Sequence, residues 1–185
     1  MNISIDQDRS ELFHILKTQA FSRGKFILSS GKESSFYLDA RLVTLSAAGA
    51  YLTGRVILNM IKDDQLNAIG GPTLGADPMV GAIASLSHQA GHPINTFIIR
   101  KQPKAHGKQQ QVEGPLLKEG GSVVIIDDVA TTGKAFVESI EVLQKMNIKI
   151  KKAICVIDRG EGATEALAKY NVPLKSIFTI AEFLK

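Results

Sequence analysis

Residues 122–140 read SVVIIDDVATTGKAFVESI, and this stretch decides the fold. Four consecutive apolar residues, 123–126, lead into the adjacent acids Asp127 and Asp128. A turn of small residues follows at 130–133, and then apolar residues return at helical spacing. The pattern predicts a buried strand over 122–126 and a helix over 133–146. In an open parallel sheet, ligands bind beyond the carboxyl ends of the strands, where the next helix offers unpaired amides and the positive end of its dipole. A phosphate fits there. Thr131 and Thr132 add hydroxyl donors, Gly133 lets the backbone come close, and Lys134 adds charge nearby. Two carboxylates beside an anion site make chemical sense if they accept hydrogen bonds from ribose hydroxyls or approach a hydrated Mg²⁺. Together these groups describe a site for a ribose 5-phosphate. Read without that chemistry, Thr132 is a helix cap and the acids only close a strand. Rival phosphate motifs fail on spacing. A Walker loop needs glycine five positions before the Gly-Lys pair and Ser or Thr after it, and those positions hold Asp128 and Ala135. No G-x-G-x-x-G occurs.

Outward from this stretch, helix and strand alternate. A helix is expected over 5–20 behind the possible cap Asp8, and a hairpin from the runs 26–28 and 36–38. A helix follows over 46–61 with Ser46 as its cap, then a short strand in NAIGG and a helix over 76–89. Strands are expected at 96–99, 153–157 and 176–180, with a last helix over 161–170. Strands of continuous Val and Ile between helices predict an α/β fold, a mostly parallel sheet covered on both faces. The stretch 100–121 has no apolar period for about 20 residues, longer than loops in compact domains usually run, and loops of that kind are commonly lids.

The chain has 185 residues, which suits one domain spanning 1–185. Apolar residues at 44% and charged residues at 22% exclude a disordered or collagen-like chain. The formal charge of +4 is spread along the sequence apart from a cluster at 101–108, so no nucleic-acid groove is implied. The one cysteine, Cys155, lies in the apolar run 153–157 and reads as a buried, inert thiol. The acidic N-terminus does not suit a signal peptide, and no apolar run approaches the roughly 20 residues that span a bilayer, so a cytoplasmic protein without a membrane partner is expected. His88 and His92 are four apart, but Gly91 and Pro93 break the helix that would align them on a metal.

The run VVIIDDVATTGKA resembles the phosphoribosyl diphosphate (PRPP) signature of the type I phosphoribosyltransferases. Three more segments, FILSSGKESSFYLDAR, GGPTLGADPMVGAIA and RKQPKAHGKQQQVEG, resemble the orotate phosphoribosyltransferases in order and spacing. The resemblance implies the type I fold with a small hood, built from about residues 1–45 and the C-terminal end. It implies Mg²⁺-dependent, reversible transfer of phosphoribose from PRPP to orotate, giving orotidine 5′-monophosphate and diphosphate in pyrimidine synthesis. By the same resemblance, PRPP contacts fall on Arg100, Lys101, Lys104, His106, Asp127, Asp128, Val129, Ala130, Thr131, Thr132, Gly133, Lys134 and Ala135. Lys104, His106 and Asp128 are the implied catalytic residues, and Thr131 and Arg159 the orotate contacts. Mg²⁺ would be held through PRPP and water with Asp127 and Asp128 nearby, rather than by the protein directly. Part of the lid would cross to a partner subunit, making a homodimer with shared active sites.

The basic residues of the lid also follow from the chemistry. Departure of diphosphate from ribose C1 builds negative charge on the leaving group and positive charge on the sugar, so cations and exclusion of water are both needed. Gly107 and Gly114 would let such a lid swing. A guanidinium fork at Arg159 matches the orotate carboxylate. Without the family likeness the lid is a solvated loop, Asp158 and Arg159 a surface pair, and Tyr37 a core aromatic rather than a wall for the base. The chain departs from many bacterial relatives at Ser29 and Gly75, where those carry lysine. Two rivals are a phosphoribosyltransferase acting on another base and a nucleotide-sensing regulator that kept the PRPP site.

Overall fold

The computed structural model describes residues 4–27, 31, 33–102 and 111–185. Helix α1 (Ile5–Gln19) opens the chain, capped by Ser4 and Gln7 in a reciprocal capping box. Asp8, expected as the cap, is instead fully buried one turn in, with Oδ2 2.6 Å from Nε of Arg55. Strands β1 (Phe21–Ile27) and β2 (Glu33–Leu38) form the antiparallel hairpin, with a register irregularity between Arg23 and Phe26. The short helix α2 (Arg41–Thr44) follows, then α3 (Ala47–Met60), whose cap Ser46 accepts from the Gly49 amide as expected.

The main sheet is built from β3 (Ala68–Pro72), β4 (Asn95–Ile99), β5 (Val112–Glu113), β6 (Ser122–Ala130), β7 (Lys149–Asp158) and β8 (Leu174–Thr179), in the order β5-β4-β3-β6-β7-β8. Every pairing is parallel except that of the short edge strand β5 with β4. The connecting helices are α4 (Asp77–Gln89), α5 (Lys134–Lys145) and α6 (Ala163–Ala168), and α7 (Ile180–Leu184) ends the chain.

Strand β6 explains why the apolar run is unbroken. Val124 and Ile126 face one core with α1, α3 and α4, while Val123 and Ile125 face the other with α5 and α6. All four are at most 1% exposed, so neither face of the strand meets water. On α5, Phe136, Ile140 and Leu143 recur at helical spacing and are buried in the second core. Each such side chain contributes about 1.5–3 kcal/mol by leaving water.

Two boundaries differ from expectation in ways that matter for the site. Strand β6 runs on through both acids to Ala130, because pairing with β7 continues as far as Ala130 opposite Asp158. The polar stretch after Arg100 is pinned where it returns, since β5 pairs with β4 and the Arg100 amide donates to Gln111 O at 2.8 Å.

The hairpin rests on the C-terminal end of the chain. Phe21 lies 5.7 Å from Phe183 between ring centres, Phe13 lies 4.8 Å from Phe183, and the Arg23 guanidinium donates to Leu184 O. Residues separated by most of the sequence therefore form one aromatic layer.

Candidate active site

The carboxyl ends of β3, β6 and β7 carry the chemistry-bearing residues. At the end of β6 the chain turns through Thr131 and Thr132 into Gly133, which caps α5 with φ +80°. That left-handed conformation favours glycine, and a Cβ there would lie 2.9 Å from Leu167 Cδ1 and 3.1 Å from Ala163 Cα. The first helical bond runs from the Val137 amide to Gly133 O, so helix geometry leaves the amides of Lys134, Ala135 and Phe136 without intrahelical acceptors. The turn is open rather than packed under other protein: Val129 to Phe136 and Asp127 line a cavity of about 200 Å³.

A larger cleft of about 780 Å³ adjoins it and shares Asp127, Lys134 and Ala135. Gly75, Asp128, Arg100 and Lys101 line this second space. Sequence-predicted residues far apart in the chain thus come together here. Lys134 is largely exposed and 3.8 Å from Glu138, a surface pair on the first turn of α5. Lys104, His106 and Ser29 lie outside the described residues.

Asp127 is buried and Asp128 half-buried, and each carboxylate is turned back on the next amide. Asp127 Oδ1 accepts from the Asp128 N–H at 2.9 Å, and Asp128 Oδ1 from the Val129 N–H at 2.8 Å. Burial pushes the Asp127 carboxyl well above the usual carboxylate range, and the charge of Asp128 pushes it further. Burial also raises Asp128, against which the Asp127 and Val129 hydrogen bonds and the charge of Arg41 work. Arg41 is held in place by Asp39 through Nε–Oδ1 at 2.9 Å and Nη2–Oδ2 at 3.1 Å, contacts that hold the Asp39 carboxyl below its ordinary value.

Gly75, one of the two departures from many bacterial relatives, sits against the acid pair in this chain. A Cβ there would collide with Asp127 Oδ1 and fall 2.6 Å from Asp128 Oδ1. The turn after β3 lies directly on the acid pair.

One strand over, the Arg159 amide donates to Ala130 O at 2.9 Å, tying the loop after β7 to the end of β6. The Arg159 side chain is 13% exposed and lies over the Phe36 ring, 5.2 Å from its centre. It is therefore no surface residue. Phe36 stacks on Phe21, whereas Tyr37 points to the other side of the hairpin beside Phe26 and is exposed. The aromatic that meets Arg159 is Phe36, which the sequence reading passed over because alternation along a strand does not say which face looks inward. Among the described residues no group of three or more His, Cys, Asp or Glu is placed to hold a metal ion.

A six-stranded, mostly parallel sheet with a phosphate-sized turn after an acid pair defines a type I phosphoribosyltransferase. The family model for the phosphoribosyl transferase domain matches residues 52–183. Orotate phosphoribosyltransferase of Synechocystis is 40% identical over 176 residues, covering 95% of this chain and 88% of the relative. The Mycobacterium tuberculosis orotate phosphoribosyltransferase, solved in complex with Fe(III) dicitrate, superposes with a TM-score of 0.84 at 34% identity over 95% of this chain and 98% of that one. The same enzyme solved in complex with PRPP gives 0.80 at 30% identity over 96% and 99%. The chain belongs to the orotate phosphoribosyltransferase family.

Proposed function

We propose that this chain transfers the 5-phosphoribosyl group of PRPP to orotate, reversibly and with Mg²⁺, giving orotidine 5′-monophosphate and diphosphate for pyrimidine synthesis in the cytoplasm. The observation that carries this reading is one juxtaposition. The acid pair stands between the small cavity of the β6–α5 turn and the wide cleft of Arg100 and Lys101, with Arg159 over Phe36 one strand away.

In this reading the 5-phosphate takes the turn and is met by the amides and hydroxyls of Val129, Ala130, Thr131, Thr132, Gly133, Lys134 and Ala135. Asp127 and Asp128 accept from the ribose hydroxyls, and the diphosphate extends towards Arg100 and Lys101. Lys104 and His106 are assigned to the leaving group by family resemblance. Orotate lies on Phe36 and Thr131 with its carboxylate on Arg159. Two carboxyls raised by desolvation, Asp127 further by the charge of Asp128, suit a nearby cation, and two carboxylates are too few for an all-protein Mg²⁺ cage. Bound with PRPP, the ion would be held mainly by PRPP and water with Asp127 and Asp128 nearby, and it would supply charge neutralisation for the diphosphate. The reacting nitrogen belongs to an anionic base, and no covalent protein nucleophile is needed. Arg159 favours orotate over bases that lack a carboxylate.

We further infer that residues 1–185 work as one domain and as a homodimer in which each lid serves the partner's site. Leu42, Leu45 and Leu74 are 58%, 70% and 67% exposed, and with Pro78 they line a groove of about 630 Å³ beside the Asp39–Arg41 pair. Such an apolar patch on a soluble chain suits a second copy. The deciding assay follows orotate absorbance with PRPP, with and without Mg²⁺. Loss of absorbance only when PRPP and Mg²⁺ are both present is expected. PRPP binding with no turnover on orotate or any other base would identify a sensor instead.

A further inference from the structure

Behind Arg159, the residues Gly160-Glu161-Gly162 form a built turn to which the base-binding reading assigns no role. Gly160 and Gly162 adopt φ +67° and +103°, and a Cβ at either would meet nothing within 4 Å. Space does not demand glycine at these two positions; the left-handed backbone does. The turn is fixed at its start by the Gly160 amide donating to Asp158 Oδ1 at 2.9 Å and by the Arg159 amide on Ala130 O. Its result is to fold the chain back so that Glu161 Oε1 lies 2.8 Å from Arg159 Nε. The contact is a close ion pair off the N–H line, since Nε makes no hydrogen bond. Glu161 thus holds the inner edge of the guanidinium by charge, while Phe36 supports its face.

We propose that Glu161 is the positioning residue for base recognition, fixing Arg159 at its Nε edge so that the two terminal nitrogens are presented together to a carboxylate on the base. A guanidinium has five N–H donors in a rigid fork, and an anchor at Nε leaves the Nη1 and Nη2 pair free for a second carboxylate. Without the anchor, a long side chain over an aromatic ring regains rotamers that must be lost again on binding. This inference rests on the assignment of Arg159 to the orotate carboxylate and adds to it the group that aims the arginine.

The test compares Glu161→Ala, Glu161→Gln and Arg159→Ala in steady-state assays with orotate and PRPP, alongside inhibition by orotidylate and by uridylate, which lacks the carboxylate. Glu161→Ala is expected to raise KM for orotate about tenfold with little change in KM for PRPP. It should weaken orotidylate inhibition by a similar factor while leaving uridylate inhibition unchanged, and Glu161→Gln, which keeps the shape of the side chain and removes its charge, should show most of the same loss. Equal effects of Glu161→Ala on orotidylate and uridylate, or none on either, would overturn the positioning role. If Arg159→Ala itself leaves KM for orotate unchanged, the fault lies in the assignment of Arg159 to the base, a different result from failure at Glu161 alone.

Discussion

Asp127 shows what an acid loses and gains by sitting at the end of a buried strand. Burial raises its carboxyl in the folded chain, so the folded state holds the proton more tightly than the unfolded state does. Stability linked to that proton is complete below the ordinary carboxylate range and is lost as pH rises through the raised value. Asp127→Asn keeps an oxygen for the Asp128 amide and removes the buried charge. It is expected to raise the thermal midpoint of the ligand-free protein at neutral pH by about 2–4 °C, the shift that 1 kcal/mol makes in a chain of this size. It should also raise KM for PRPP at least about tenfold. Scanning fluorimetry across pH, paired with kinetics, checks both, and a lowered midpoint with unchanged KM would remove the acid from the site. The place of the acid pair at the carboxyl end of a buried strand was legible from four apolar residues before it and a Thr-Thr-Gly turn after it, while its proposed role came from the chemistry of that position and the family resemblance. Asp8 was not legible in the same way, because its partner Arg55 is 47 residues on and its position before an apolar run also suits a cap.

At the scale of elements, the β6–α5 turn sets the geometry of the cradle, and Gly133 sets the turn. An alanine there must hold φ near +80° and press its Cβ on Leu167 and the Ala163 backbone. Gly133→Ala is expected to destabilise the chain by about 2 kcal/mol and to abolish tight PRPP binding. Urea unfolding and PRPP titration measure the two effects, and full stability with normal binding would mean that the turn tolerates another shape. Strand β6 was visible in the sequence because burial on both faces forces a continuous apolar run. Its true end was hidden, since ladder pairing extends through polar residues that read as a loop. The short helices α2 and α7 were missed for a related reason: four or five residues give no period to detect. Strand β5 has two residues and exists only because β4 offers it an edge.

For the whole molecule, the aromatic layer of hairpin and C-terminus was beyond the sequence. Nothing local says that Phe21 and Phe183 meet. The parallel sheet was readable from strand and helix alternation, while the packing of the hood depends on contacts across nearly the full chain. The exposed leucines beside Asp39 and Arg41 give the proposed dimer its test. Leu45→Asp adds a charge among the leucines of the groove and, under the proposed dimer with shared sites, is expected to yield a monomer in sedimentation with most turnover lost. A dimer of unaltered stability would move the interface elsewhere.

Cys155 lies in the middle of β7 at 0% exposure, and burial drives its thiol far above the ordinary range. The sulfur is therefore silent towards alkylating reagents for as long as the sheet is intact. It is also the chain's single cysteine, so a reporter thiol placed anywhere on the surface carries a dye or spin label alone, with no need to alter the native sequence first.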